Sequence, residues 1–203
     1  MLYYRVCVIK SGVKGFYRLE KMHSVLRMGM GKHNFASGHI EIMTIENQTI
    51  YTANSRNIIE LMHDKKATWK NLFCPIKTNY YIIYSECNQL IGSLWKEENN
   101  LKNKKEKYHI NIGEYYMTVL IDKDESLSMR IMNKKKEIAF INKGMFSDEN
   151  IFYDLTTDIS EMIDIFFLFI VYFDVIHTNL NAYYSKPILP LEKKCLNAEM
   201  IIK

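Results

Sequence analysis

Nine consecutive apolar residues, Ile165-Phe166-Phe167-Leu168-Phe169-Ile170-Val171-Tyr172-Phe173, stand between Asp164 and Asp174 late in the 203-residue chain. No other segment is as continuously apolar. As an α-helix the run rises about 13.5 Å, at about 1.5 Å per residue. That falls well short of the roughly 20 apolar residues a membrane span requires. Extending it meets Asp158 and Glu161 on one side, and Asp174 and His177 on the other. Periodicity does not separate a buried strand from a buried helix here, but the flanks favour a helix. Asp158-Ile159-Ser160-Glu161 has the form of a capping box. Asp158, Glu161 and Asp164 also place negative charge where a helix dipole favours it. The expectation is a helix over about 159–179. A helix apolar on every side has to be enclosed on every side.

The rest of the chain offers strands to enclose it. Leu2–Ile9 is rich in aromatic and β-branched residues. Ile40, Ile42 and Ile45 lead through Glu46-Asn47-Gln48 into Thr49–Thr52. Tyr80–Tyr84 leads in the same way through Glu86-Cys87-Asn88-Gln89 into Leu90–Trp95, so two hairpins rhyme. Tyr108–Ile112, Tyr115–Ile121, Ser126–Ile131, Glu137–Ile141 and Ile151–Leu155 follow, at the spacing of about 8–12 residues that marks a sandwich or barrel. Tyr115, Met117, Val119 and Ile121 alternate onto one face. Turns are expected at Ser11–Gly15, Asp122–Glu125, Asn133–Lys136 and Asn142–Gly144. Phe16–Met28 is ambiguous. Gly29, Gly31 and Gly38, with Lys32, His33 and Asn34, read as a loop that lacks the order of a phosphate-binding loop. A short helix capped by Ser55 or Asn57 is expected before Lys70, and a last strand at Ala182–Tyr184. A closed antiparallel sheet with the helix through its middle satisfies the buried helix and hides the sheet edges.

Hydrophobic content of 48% and charged content of 25% describe a globular chain. Cys7, Cys74, Cys87 and Cys195 show no metal-site spacing and read as reduced thiols. The opening ten residues are interrupted by Arg5 and lack the features of a signal peptide. A cytoplasmic protein, peripheral at a membrane if it binds lipid, is therefore expected. The net charge of +4 is unevenly spread. Up to Asn34 there are seven basic residues and one acid, whereas Gly144–Ser185 holds seven acids and no Lys or Arg. Such polarity either steers anionic partners or pairs the two regions with each other. Residues 1–185 are read as one domain, with a divergent basic segment over 1–38. Pro187 and Pro190 introduce a tail over 186–203.

The stretch Tyr80–Asn179 resembles the tubby-like group, which includes tubby C-terminal domains, LURP-one-related proteins, phospholipid scramblases and small bacterial relatives. The likeness rests on Leu90-Ile-Gly-Ser-Leu-Trp95, the meander Tyr115–Ile141 with its Asp122-Lys123 turn, and Tyr153-Asp154-Leu155-Thr156 followed by the apolar helix ending in Asp174. The resemblance implies a mainly β (α+β) fold, a closed antiparallel β-barrel of about 12 strands around a hydrophobic central α-helix. It also implies binding of anionic phospholipid headgroups through surface Lys and Arg, although no lipid-binding motif of the family is visible to carry over.

The candidate headgroup contacts are Lys102, Lys104, Lys105 and Lys107 in the polar run Lys96–Lys107, and Lys134, Lys135 and Lys136 in a turn. No catalytic residue, metal ligand or cofactor is assigned. Asp174 and His177 share a helix face, but an enzyme built on them lacks a nucleophile. Asp154, Asp158, Glu161 and Asp164 lack the loop of a calcium site and are explained by strand-end and helix-dipole positions. Nucleic acid is not an expected partner. Tyr3, Tyr4, Phe16 and Tyr17 sit in strand patterns where core packing is the default. The expected function is a non-catalytic tubby-like binding module. The alternative is a protein–protein interaction or regulatory factor, of bacterial or mobile-element origin, acting through its N-terminal segment.

Overall fold

A computed structural model describes residues 1–10, 14–22, 26–34, 37–55, 80–97, 106–122, 127–147 and 150–184, with side chains of the last helix described to His177. The strands are β1 (Leu2–Lys10), β2 (Lys14–Lys21), β3 (Leu26–Asn34), β4 (His39–Met43), β5 (Thr49–Ser55), β6 (Tyr80–Ser85), β7 (Leu90–Lys96), β8 (Lys107–Ile112), β9 (Tyr115–Asp122), β10 (Ser128–Asn133), β11 (Lys136–Met145) and β12 (Ile151–Thr157). A 3₁₀ turn, Ser160–Met162, leads into α1 (Ile163–Tyr184). Each strand pairs antiparallel with the next, and β12 returns to pair with β1, so the sheet is a closed 12-stranded barrel. The expected fold class is observed.

Ile165 to Phe173 are all at most 1% exposed, so the apolar run is enclosed on every side. Alternation supplies the enclosing wall. Met117, Val119 and Ile121 of β9, with Met129 and Ile131 of β10, point inward onto α1. Each fully buried side chain of this size contributes about 1.5–3 kcal/mol.

Up-and-down connectivity gives the barrel two distinct ends. The chain starts beside the end of β12, where Leu2 pairs with Thr157 and α1 enters. This proximal end also carries the β4–β5, β6–β7, β8–β9 and β10–β11 turns. The distal end, where α1 leaves, carries the β1–β2, β3–β4, β5–β6, β7–β8, β9–β10 and β11–β12 connections.

The rhyming hairpins make the same turn twice. Backbone N–H groups of Thr44 and Ser85 donate to Gln48 and Gln89 carbonyls at 2.8 and 2.9 Å. Asn47 and Asn88 take left-handed φ values of 63° and 57°, a conformation asparagine tolerates well. The Thr44 and Ser85 hydroxyls each accept the N–H of the glutamine at 3.3 Å.

Five local expectations are corrected. Gly29, Gly31, Lys32, His33 and Asn34 lie in β3, not in a loop. A Cβ on Gly31 would stand 3.1 Å from both Phe167 Cζ and Val171 Cγ2, so this strand lets the helix approach closely. Asn142–Gly144 continues β11. A Cβ on Gly144 would lie 2.3 Å from Phe152 Cζ, so its glycine makes room for a ring rather than a turn. The capping box does not form, since Ile159 stands at the N-cap position without a side-chain cap. Thr157 Oγ1 instead accepts the Ile159 N–H at 3.1 Å, and Asp158 pairs with the Met1 amine at 3.1 Å. Ala182–Tyr184 belongs to α1 and adds no strand. The ambiguous stretch Phe16–Met28 divides between β2 and β3, and Gly15, expected in a turn, lies in β2. The expected helix after Ser55, the turn residues 123–125, Cys74, Cys195 and the tail lie outside the described residues; Ser55 itself ends β5.

The basic N-terminal and acidic C-terminal regions do meet. Arg5 of β1 faces Asp154 of β12, donating from Nε to Oδ1 at 2.7 Å and from Nη2 to Oδ2 at 3.0 Å. This forked geometry suits a guanidinium–carboxylate pair. Its guanidinium also lies 4.1 Å from the centre of the Phe152 ring.

Candidate functional site

Among the described residues Asp174, His33 and His177 lie toward the distal half of α1. Asp174 is 1% exposed. It sits in the helix where β2 and β12 each present a tyrosine. Tyr153 donates to Asp174 Oδ1 at 2.7 Å, and Tyr17 donates to Oδ2 at 2.9 Å. With its proton committed, the Tyr17 oxygen accepts from His33 Nδ1 at 3.0 Å, which places that ring's proton on Nδ1. Burial, and then the carboxylate's charge, push the Tyr17 and Tyr153 phenols well above their ordinary range. Both therefore remain donors. A carboxylate so enclosed is held by hydrogen bonds as a buried charge must be.

His177, one turn later, belongs to a different wall. Its Nε2 is 2.7 Å from the Tyr108 hydroxyl on β8. Tyr108 donates to Glu106 Oε2 at 3.2 Å, and Lys96 Nζ lies 3.3 Å from Glu106 Oε1. His177 Nε2 also lies 3.5 Å from Glu106 Oε2. The imidazole packs at a tilt against Phe173, with ring centres 4.2 Å apart and planes 37° from parallel. Burial and the Glu106 charge raise the Tyr108 phenol. Tyr108 is fully buried, whereas His177, Glu106 and Lys96 are only partly enclosed, and together they fasten the helix to the distal rim. Asp174 and His177 thus do not form an acid–base pair: each is engaged by its own wall, and Asp174 is sealed from solvent.

The acids near the start of the helix disperse as well. Asp154 goes to Arg5 and Asp158 to the Met1 amine. Asp164 is half-buried, and burial raises its carboxyl above the usual range. Among the described residues no three His, Cys, Asp or Glu side chains gather as a metal site would need.

The candidate lysines do not form one surface. Lys134, Lys135 and Lys136 are all exposed on the β10–β11 turn at the proximal end, with Lys134 at φ 56°. Lys107 opens β8 at the distal end, and Lys102, Lys104 and Lys105 precede it outside the described residues. Neighbouring proximal turns present the exposed acids Glu46, Glu86 and Glu114, and Glu137 adjoins Lys136.

The basic N-terminal segment supplies two further lysines that were not among the candidate headgroup contacts. Lys10 and Lys14 are exposed on either side of the β1–β2 connection at the distal end. Exposed beside them are Ile9 and Phe16, and on the adjoining β11–β12 hairpin Met145 and Phe146. The reading of Tyr3, Tyr4, Phe16 and Tyr17 as core was half right. Tyr4 and Tyr17 are buried, whereas Tyr3 and Phe16 face outward at 44% and 37% exposure. Strict alternation along β1 and β2 carried that distinction.

Cys7 and Cys87 are free thiols. Among the described residues no helix is long and apolar enough to cross a membrane. Comparison with protein families, with curated proteins and with solved structures finds no match for the chain.

Proposed function

We propose that the chain is a non-catalytic binding module of the tubby-like kind, and that its exposed lysines contact anionic phospholipid headgroups. One observation carries the reading: the interior is filled by α1 and its polar groups are satisfied there, while lysines at both rims are exposed and held in no ion pair among the described residues. The architecture, a 12-stranded barrel around an apolar helix, is the one the resemblance implies. Two rim sites compete for the contact, Lys134–Lys136 at the proximal end and Lys10 with Lys14 at the distal end.

Vesicle flotation tests the proposal. The full chain is expected to float with phosphatidylcholine vesicles containing phosphatidylserine, to stay behind with phosphatidylcholine alone, and to be released by salt. Each lysine close to such a surface contributes about 1 kcal/mol. Reversing Lys134, Lys135 and Lys136 together should then weaken partitioning on the order of 100-fold if the proximal rim is used. Reversing Lys10 and Lys14 should act the same way if the distal rim is used. Equal recovery with neutral and anionic vesicles, or none with either, contradicts the reading.

A further inference from the structure

We infer that the proximal rim is a self-complementary interface on which two copies of the chain associate, each setting its basic corners on acidic corners of the other. The inference stands apart from the lipid reading, and it gives Lys134–Lys136 a protein contact in place of a headgroup.

The first observation is the order of charges. The rim has six corners, the five proximal hairpin connections and the place where β12 ends beside β1. In sheet order, β2–β3 presents exposed Lys21 and Arg27, and β4–β5, β6–β7 and β8–β9 present the exposed acids Glu46, Glu86 and Glu114. The β10–β11 turn presents Lys134–Lys136, which outnumber the adjoining Glu137. The β12 corner presents Glu161, beside an Asp158 held by the Met1 amine. Apart from Asp158, none of these side chains is held in an ion pair among the described residues. His23, Ser24 and Val25 of the β2–β3 connection lie outside the described residues and bring no acid. Two strands at about 4.8 Å each set adjacent corners about 10 Å apart.

The second observation is what symmetry does with that order. A two-fold axis lying across the rim and passing between corners exchanges alternate corners. One alternate set is β2–β3, β6–β7 and β10–β11; the other is β4–β5, β8–β9 and the β12 corner, all acidic. Every such axis therefore puts both basic corners on acids, and each contact occurs twice. It also leaves Glu86 facing an acid, the like-charged contact that all these arrangements share. An axis through a corner instead sets that corner on its own copy, like charge on like, and the charge order selects against it.

The third observation is the apolar surface at the same corners. Leu26, Ile45, Leu90 and Tyr115 are 57%, 51%, 68% and 38% exposed. Apolar side chains set among charges of both signs suit a protein contact. Exposed apolar groups also occur at the distal end; the charge order is what assigns the proximal end to a second copy. Acids at four corners disfavour an anionic bilayer there.

Sedimentation velocity of the full chain over a range of loading concentrations tests this. The wild type should associate reversibly to a dimer, more weakly as salt rises. Lys134→Glu, Lys135→Glu and Lys136→Glu together should weaken the dimer by about tenfold or more, since symmetry applies each change twice. Glu86→Lys should instead tighten it by about threefold or more. Bulk charge predicts the opposite, because the first change brings the net charge of +4 closer to zero and the second takes it further away. All four side chains are exposed, so the melting temperature should be retained, and a circular-dichroism melt checks that. A chain that stays monomeric at every concentration overturns the inference, as does a dimer that neither change affects or that follows bulk charge. Vesicle flotation lost on reversal of Lys134–Lys136, with no wild-type dimer, overturns it and leaves the lipid reading standing. A dimer with the expected opposite responses, and no flotation, upholds it and defeats the lipid reading. A monomer that captures polylysine and loses it on Glu86→Lys overturns it in favour of a basic partner at the acidic corners.

Discussion

Asp174 and His177 are three residues apart on one helix, yet the barrel treats them in opposite ways. Asp174 faces β2 and β12, where two phenols bind it in an enclosed site. His177 faces β8 near the rim, where it meets the buried Tyr108 but is itself, like Glu106, partly open to solvent. A shared helix face, read from spacing alone, placed them together but supplied no nucleophile to make them a functional unit. The wall each meets decides otherwise. In a barrel plugged by a helix, chemistry along the helix is set by the strands opposite, and a polar residue persists inside only where a strand provides its partner.

The largest expected effect removes that condition. Phe169→Asp places a carboxylate where the neighbours are the rings of Tyr108, Tyr172 and Phe173. It loses the roughly 3–5 kcal/mol of a buried aromatic side chain and adds an unpaired buried charge. The variant should fail to fold, with no cooperative thermal transition by circular dichroism. A wild-type melting temperature would mean that the barrel does not enclose its helix. Next comes Asp174 itself. Asp174→Ala leaves the buried Tyr17 and Tyr153 hydroxyls without their acceptor and should cost about 2–6 kcal/mol in urea unfolding, about 1–3 for each. Asp174→Asn keeps an acceptor oxygen and should cost less, about 1–2 kcal/mol. Equal costs for the two would show that hydrogen bonding to Tyr17 and Tyr153 is not what holds the site. His177→Ala should be smallest, about 1 kcal/mol or less, because the buried Tyr108 keeps Glu106 as its acceptor and Glu106 itself reaches solvent. A loss as large as that of Asp174→Ala would erase the distinction between the two sites.

Much of the fold was legible because it rests on local patterns. Ile165–Phe173 admitted only an enclosed element, and the alternation of Met117, Val119 and Ile121 supplied a wall facing it. Where the reading failed, a residue was responding to a distant neighbour. Gly31 and Gly144 looked like loop and turn residues, yet they sit in strands because Phe167, Val171 and Phe152 press against them. Asp158 looked like a helix cap, but the chain's own amine lies beside it. The partners of Asp174 come from 157 and 21 residues away, which no local pattern reveals. The lysines were visible as residues, whereas their division between two rims follows from the connectivity of the closed sheet. Phe16 was placed in the core by its type, although its position in the alternation put it outside.

Above all, α1 is the enclosed core of a closed barrel. Native-state hydrogen exchange tests it most directly, because it reports the opening free energy of each amide. The amides of Ile165–Phe173 should exchange only through global unfolding, with a free energy equal to that from urea denaturation and with the same denaturant dependence. Exchange of those amides through a smaller, denaturant-independent opening while the strands stay protected would mean that the helix leaves the barrel in the native state, and would contradict the account.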